Sequence, residues 1–264
     1  GMALLSWLLE VFGEHRIDLT SAAVLLFLAL SLLAAYGFHA RHTAHPLLRL
    51  GLFRVRTFRV AVMGGFVTRL GIGGLPFLLP LLYQLGMGLP AWESGLLMMP
   101  AAAAAMGMKL LAPRILARLG YRKVLVVNTL MIGVTIGLFA LVGAATPLVL
   151  IVLLGLTLGF FNSLQFSSMN SMAFADIGGA DSSMASTIAS SMQQMSFSFG
   201  LAAGSLVTAW FLGDLPQSDR VAVARALHYA FVTLGVLTML SSLSYKTLRP
   251  QDGDSVSRGA LAEA

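Results

Sequence analysis

The sequence predicts an all-α integral membrane protein, and three observations support this fold class. Of its 264 residues, 57% are hydrophobic and only 11% are charged, whereas a soluble domain carries about 25% charged residues. Long apolar runs fill most of the chain, and basic residues concentrate in every second connector between them. Because such a chain cannot cover a water-facing surface, ordinary soluble enzymes and nucleic-acid-binding modules are excluded. We attribute the net charge of +6 to membrane topology and expect no nucleic-acid partner.

The first 38 residues are predicted to form one partial and one complete transmembrane helix. A helix needs about 20 apolar residues to cross the hydrocarbon core, which the run 20–38 supplies and the run 2–13 does not. The short run has no basic n-region and no small-residue cleavage site, so we interpret it as the far end of a helix that begins before Gly1. Six further complete runs are predicted at residues 59–85, 94–111, 123–142, 147–175, 185–212 and 226–245.

The orientation follows from the basic residues, because Lys and Arg in short loops are retained on the cytoplasmic side. The alternate connectors hold only Arg16, Arg220 and Arg225. The sequence therefore predicts a cytoplasmic C-terminus, an amphipathic linker along the cytoplasmic surface at residues 39–58, and a disordered cytoplasmic tail at residues 247–264. The connectors predicted to be cytoplasmic contain Arg41, Arg49, Arg54, Arg56, Arg59, Arg114, Arg118, Arg122, Lys123, Lys246, Arg249 and Arg258.

The six spans at residues 59–246 divide into three before the short turn 143–146 and three after it. This division is typical of the three-plus-three inverted repeat of a six-helix transporter half. The connector 114–123, with the sequence RILARLGYRK, joins the second and third of these spans. It resembles the cytoplasmic signature loop of the major facilitator superfamily.

Other segments are similar to the fourteen-helix drug:proton antiporter branch of that superfamily, the EmrB/QacA-type exporters. They are His45 to Leu48, Leu52 to Arg54, Phe77 to Leu81 and Ser94 to Pro100. The resemblance implies that residues 59–246 are the C-terminal half of a multidrug efflux transporter. It further implies a bacterial inner-membrane location, a partner N-terminal half, apolar or amphipathic small-molecule substrates, and proton antiport by the complete protein.

The signature loop departs from the family pattern. Pro113 stands at the position of its first glycine and Ala117 at the position of its aspartate. The loop therefore lacks the acidic gating partner, and it either retains a gating role or only anchors helix ends at the inner leaflet. The signature positions that remain are Arg114, Arg118, Gly120, Arg122 and Lys123.

Polar residues at membrane depth are the candidates for a substrate pathway, because each is costly to insert. Arg69 lies ten residues beyond Arg59, which is too deep for easy snorkelling, so it should face a cavity or a polar partner. Lys109 lies four residues before Pro113 and can reach the interface. The other candidates are five amides on the fourth and fifth of the six spans: Asn162, Gln165, Asn170, Gln193 and Gln194.

The third and sixth spans offer little beyond Asn128, His228 and scattered Thr and Ser. The resemblance implies that the first, second, fourth and fifth helices of a half line the central cavity, which agrees with this distribution of amides. For each amide a second interpretation stays open, namely an interhelical hydrogen bond. The pair Gly200 and Gly204 and the alanine run 101–105 predict tight helix packing.

The acidic residues all fall in connectors, tails or helix ends. Proton coupling needs a protonatable group within the membrane, so we expect that group in the missing half. No cofactor or metal is predicted, because His39, His42 and His45 lie beside arginines without a carboxylate, and no catalytic cluster indicates an enzyme. The alternatives are a non-coupled channel or receptor-like protein, and a half-sized transporter that acts as a dimer.

Overall fold

The computed structural model describes residues 50–213 and 219–253. Within these ranges, six helices are long and apolar enough to cross a membrane, which confirms the predicted all-α membrane fold. The runs 2–13 and 20–38 lie outside the described residues. The helices are α1 (Arg56–Gly86), α2 (Ala91–Leu119), α3 (Tyr121–Leu138), α4 (Leu148–Phe174), α5 (Ser182–Leu212) and α6 (Arg220–Tyr245).

Several helices extend beyond the apolar runs that predicted them, most clearly at one end of the bundle. There α1 begins at Arg56, α2 continues to Leu119 and α3 begins at Tyr121. The apolar runs mark only the part of each helix that the bilayer covers, whereas Arg and Lys are good helix formers and extend the helices into the interface. We call this end, where α1, α3 and α5 begin and α2, α4 and α6 end, the basic end.

The packing of the helices has the pattern expected for a three-plus-three inverted repeat. Helix α2 packs on α4 and α5 packs on α1, while α3 packs on α6. In addition, α3 contacts α4 and α6 contacts α1, while α5 contacts α6 more extensively than its counterpart α2 contacts α3. Exchanging α1 with α4, α2 with α5 and α3 with α6 converts this set of pairs into itself. Because the exchange moves each helix by three places, it also reverses its direction in the membrane, as in the inverted repeats of transporters.

Glycines mark the closest helix crossings. Gly200 and Gly204 of α5 lie against Gly73 and Gly74 of α1, where a Cβ atom at Gly74 would be 3.0 Å from the Gly200 carbonyl oxygen. The tight packing predicted for this glycine pair is confirmed. On α4, a Cβ atom at Gly159 would overlap the backbone of Ala101 in the alanine run of α2. Small residues permit this approach because helix association in a bilayer depends on van der Waals contact.

The buried side chains form two apolar clusters with polar residues between them. The cluster toward the basic end includes Phe58, Met108, Leu125 and Tyr245, and the other includes Leu78, Ile136 and Phe231. On α1, Thr68 and Arg69 fall between Val62 of the first cluster and Ile72 of the second. On α3 and α6, buried Asn128, Thr129 and Ser241 likewise lie between members of the two clusters.

Residues 247–253 differ from the predicted disordered tail. Asp252 accepts two hydrogen bonds from the Arg56 guanidinium, at 2.5 and 2.9 Å, and a third from the Arg249 backbone N–H. Leu248 is buried, and Gly253 lies against the Tyr121 ring. The reason for the difference is a long-range ion pair that local composition does not reveal. Residues 254–264 lie outside the described residues.

The predicted linker at residues 39–58 is described only from Leu50 onward. Leu50–Arg54 form a short 3-10 helix in which Leu52 is buried and Arg54 exposed, and α1 follows at once. The division of the chain into a linker, a six-helix transporter half and a tail stays a prediction.

Candidate functional site

A cleft of about 240 Å³ lies where α1, α2, α4 and α5 meet. A second cleft of about 280 Å³ adjoins it and shares the side chains of Ile72, Ala105, Asn162 and Phe197. Together they form a groove, and among the helices that the structure describes only these four line it, as the family resemblance implied. The polar cleft is lined by Thr68, Arg69, Ile72, Ala105, Lys109, Asn162, Ser163, Gln165, Phe166, Met169 and Phe197.

Arg69 is the deep charge of this cleft. Its side chain is 8% exposed, and its guanidinium carbon lies 5.9 Å from the ring centroids of both Phe166 and Phe197. No carboxylate among residues 50–213 and 219–253 pairs with Arg69. The ion pair found within these ranges joins Asp252 to Arg56. Lys109 lines the same cleft from α2 and is exposed. The cleft therefore presents two cations and aromatic faces, a setting suited to cation–π contact.

Helix α1 is interrupted directly after Arg69. Gly73 and Gly74 form a turn between the segments Gly65–Ile72 and Leu75–Leu81. Pro76 has no N–H, so it cannot donate to the Ile72 carbonyl four residues earlier. Gly73 and Gly74 keep α-helical φ and ψ, so α1 loses regular hydrogen bonds here without unwinding. Such a local loss at membrane depth is tolerated where the backbone is buried or lines a cavity.

The five predicted amides separate into different environments. Asn162 is exposed and lines both clefts. Gln165 borders the polar cleft but is only 2% exposed. Asn170 and Gln193 are half-buried and Gln194 is exposed, and none of these three lines either cleft.

Gln165 directs both ends of its amide toward α3. Its Oε1 accepts from Asn128 Nδ2 at 2.8 Å, and its Nε2 donates to Thr129 Oγ1 at 2.8 Å. Asn128 Nδ2 also donates to the Phe161 carbonyl at 2.7 Å. This geometry is the interhelical hydrogen bond that the sequence left open as the second interpretation. Any contribution of Gln165 to transport stays a prediction.

A matching polar contact joins α1 to α6. The hydroxyl of Thr68 lies 2.9 Å from that of Ser241 and 2.7 Å from that of Tyr245. The pairs α1–α6 and α4–α3 are equivalent under the inverted repeat. In each pair, buried polar side chains join a helix that lines the groove to a helix that does not. Sequence reasoning passed over these partners. The adjacent polar residues Asn128 and Thr129 within an apolar run could have indicated them, because polar side chains inside the membrane need hydrogen-bond partners.

The predicted signature loop lies at the basic end as a single-residue turn. Gly120 separates α2 from α3 and has a φ of +74°, a conformation that favours glycine. Arg114 and Arg118 are exposed on the last turns of α2, while Arg122 is half-buried and Lys123 exposed on the first turn of α3. This turn explains why the loop has a glycine at position 120. A gating role for the loop stays a prediction.

Comparison with known proteins supports the same family. Residues 1–200 match the family model of the Major Facilitator Superfamily. MdtD of Pectobacterium atrosepticum, named as a multidrug resistance protein, is 32% identical over 99% of this chain and 56% of its own length. MdtD of Serratia proteamaculans is 31% identical over 93% of this chain and 51% of its own length.

HsrA of Haemophilus influenzae, named as a transport protein, is 31% identical over 93% of this chain and 53% of its own length. The chain therefore spans about half the length of the relatives it matches. A family model that covers residues 1–200, together with six membrane-spanning helices around a mid-bundle cleft, leads to one assignment. This chain belongs to the major facilitator superfamily.

Proposed function

We propose that this chain supplies the C-terminal half of a multidrug efflux transporter, in which it forms one wall of the substrate pathway. The observation that carries the proposal is the groove along α1, α2, α4 and α5, beside the interruption of α1 at Gly73 and Gly74. Relatives named for multidrug resistance support the choice of efflux. The N-terminal half would supply the opposite wall, and the two would rock against each other around the groove.

The lining of the groove supports a pathway for apolar or amphipathic molecules. Phe166, Phe197 and Met169 offer adaptable apolar contact, and Asn162 offers an amide that bonds to no other residue in the described part of the chain. A surface that combines methionine, aromatic rings and one amide can repack around different ligands. Arg69 and Lys109 add positive charge without a carboxylate from the described residues, so a ligand with an uncharged or anionic polar group suits this wall better than a cation.

The charge distribution supports a cytoplasmic location for the basic end. Arg220 and Arg225 are the basic residues that the structure describes at the opposite end. By the positive-inside rule, the basic end and residues 246–253 then face the cytoplasm. Within this proposal, the chain lies in the inner membrane of a bacterium.

Cysteine accessibility tests the groove directly, because the chain contains no cysteine. The variants Asn162→Cys and Val134→Cys would be expressed in an efflux-deficient bacterium, together with the remaining portion of Pectobacterium MdtD. Asn162 faces the groove, and Val134 is the matched control, since it is exposed on α3 at a similar distance along its helix. The membranes would be labelled with N-ethylmaleimide, which reacts with the hydrated thiolate.

We expect the cysteine at position 162 to react and to be protected by the uncharged aromatic amphiphile N-phenyl-1-naphthylamine. The cysteine at position 134 should stay unreactive because it faces lipid. Accumulation of the same amphiphile in the cells should fall only when both portions are present. Equal labelling of the two cysteines would contradict the groove as a pathway. Full efflux by this chain alone would favour the half-sized dimer.

A further inference from the structure

A third cleft, outside the groove, lies at the basic end between the first turns of α3 and the segment that follows α6. It has a volume of about 370 Å³. Three cations line it, Arg122 and Lys123 from α3 and Lys246 beyond α6, beside apolar side chains that include Val126 and Val127. The substrate pathway proposed above uses none of these residues.

The charge of this cleft is not neutralised by the described part of the chain. Asp252 is the acid nearest to Lys246 along the sequence, and it binds the Arg56 guanidinium and the Arg249 backbone. Within residues 50–213 and 219–253, no hydrogen bond or ion pair joins Arg122, Lys123 or Lys246 to a carboxylate. Three unpaired cations around one cavity attract an anion.

The cleft has an apolar wall formed by Val126 and Val127, which lie one turn farther along α3 than Arg122 and Lys123. Val127 on α3 is 56% exposed, and Leu240 and Leu243 on α6 are 57% and 55% exposed. The surrounding bilayer covers this wall in any case, and a soluble anion would contact only the cations beside it. A phospholipid would place its phosphate among the cations and its acyl chains along the wall, so both halves of the surface would be covered.

We propose that this cleft binds the headgroup of an anionic phospholipid at the cytoplasmic ends of α3 and α6. Basic pockets between transmembrane helices on the cytoplasmic side are suited to anionic headgroups. The site gives Arg122 and Lys123 of the signature loop a function that does not depend on the missing aspartate. It would fasten α3 and α6, the two helices that do not line the groove, to the inner leaflet.

The test measures lipid binding to the purified full chain by native mass spectrometry. The probes are phosphatidylglycerol and phosphatidylcholine, titrated separately in detergent. The wild-type chain should bind its first phosphatidylglycerol more tightly than its first phosphatidylcholine. Each charge near an anionic surface contributes enough for about a fivefold change in affinity. The variant Arg122→Gln/Lys123→Gln/Lys246→Gln should therefore lose the preference, and Lys246→Gln alone should weaken phosphatidylglycerol binding about fivefold.

The matched control is Arg54→Gln/Arg114→Gln/Arg118→Gln, which removes three exposed cations from the same end but outside the cleft. It should keep the preference for phosphatidylglycerol. An equal loss in both triple variants would overturn the proposal, because diffuse surface charge would then explain the binding. Unchanged binding in the cleft variants, with helix content confirmed by circular dichroism, would also overturn it. So would displacement of phosphatidylglycerol by equimolar inorganic phosphate, which would indicate a site for soluble anions.

Discussion

Two neighbouring amides of α4 illustrate how differently polar side chains act in this bundle. Gln165 is buried and bonded to Asn128 and Thr129, whereas Asn162 is exposed in the groove, and its side chain bonds to no other residue that the structure describes. We predict that Gln165→Leu lowers the free energy of unfolding by about 1 kcal/mol, because it leaves buried polar groups without partners. Asn162→Leu should leave stability unchanged and raise the cellular accumulation of N-phenyl-1-naphthylamine, because the groove loses its free amide. Thermal unfolding of the purified chain, followed by circular dichroism, checks the first effect; equal destabilisation by both changes would contradict this division.

Asp252 is the residue that orders the segment after α6. Burial alone would raise the pKa of its carboxyl, but the Arg56 hydrogen bond, the Arg249 backbone bond and the charges of both arginines lower the pKa below its ordinary value of 3.8. A carboxyl with a lowered folded-state pKa stabilises the fold at higher pH, and this stabilisation is lost as the pH falls through the folded-state pKa. We predict faster hydrogen exchange of residues 247–253 in Asp252→Asn at pH 7. The difference in thermal midpoint between this variant and wild type should shrink below about pH 4, and the swap Arg56→Asp/Asp252→Arg should restore protection.

At the scale of elements, the crossing of α2 and α4 depends on one glycine. A methyl group at Gly159 would overlap the Ala101 backbone, whereas at Gly155, one turn earlier on the same helix, it would lie 3.8 Å from the nearest atoms of α2. We predict that Gly159→Ala lowers the free energy of unfolding by about 1–3 kcal/mol, because two backbones must separate. Gly155→Ala is the matched control and should be neutral or slightly stabilising, since alanine is the better helix former. Comparison of the two variants by thermal unfolding checks this, and equal stability would show that the crossing tolerates a methyl group.

The helices themselves could be predicted from the sequence, because a bilayer demands about 20 apolar residues for each crossing. Their partners could not. Asn128 lies in an apolar run of the sequence, yet it bonds to Gln165, which lies 37 residues away. The small and polar neighbours of Asp252 predict a disordered tail, although Arg56, 196 residues away, donates a hydrogen bond to its carboxylate. Hydropathy reports the depth of a residue in the membrane, and it contains no information on which helix faces which.

At the scale of the whole molecule, the inverted repeat determines which charges lie near the groove. The four helices that line it contribute Arg69 and Lys109, whereas the acids that the structure describes lie at helix ends or in connectors: Glu93, Asp176, Asp181, Asp219 and Asp252. A carboxylate or histidine that changes protonation within the membrane is the usual basis of proton coupling. We therefore predict that purified chain, reconstituted alone into liposomes, does not move N-phenyl-1-naphthylamine in response to a pH gradient.

The measurement is the fluorescence of that amphiphile after an acid or alkaline shift of the external buffer. Liposomes that also contain the remaining portion of Pectobacterium MdtD are the matched comparison, and they should respond to the gradient if the protonatable group lies in that portion. A response by this chain alone would locate the coupling group within its own 264 residues. His228 would then be the first candidate, because it is the histidine of α6 and its Nε2 lies 2.8 Å from the Val142 carbonyl oxygen. Loss of that response in His228→Gln, with helix content unchanged, would assign the coupling to this imidazole.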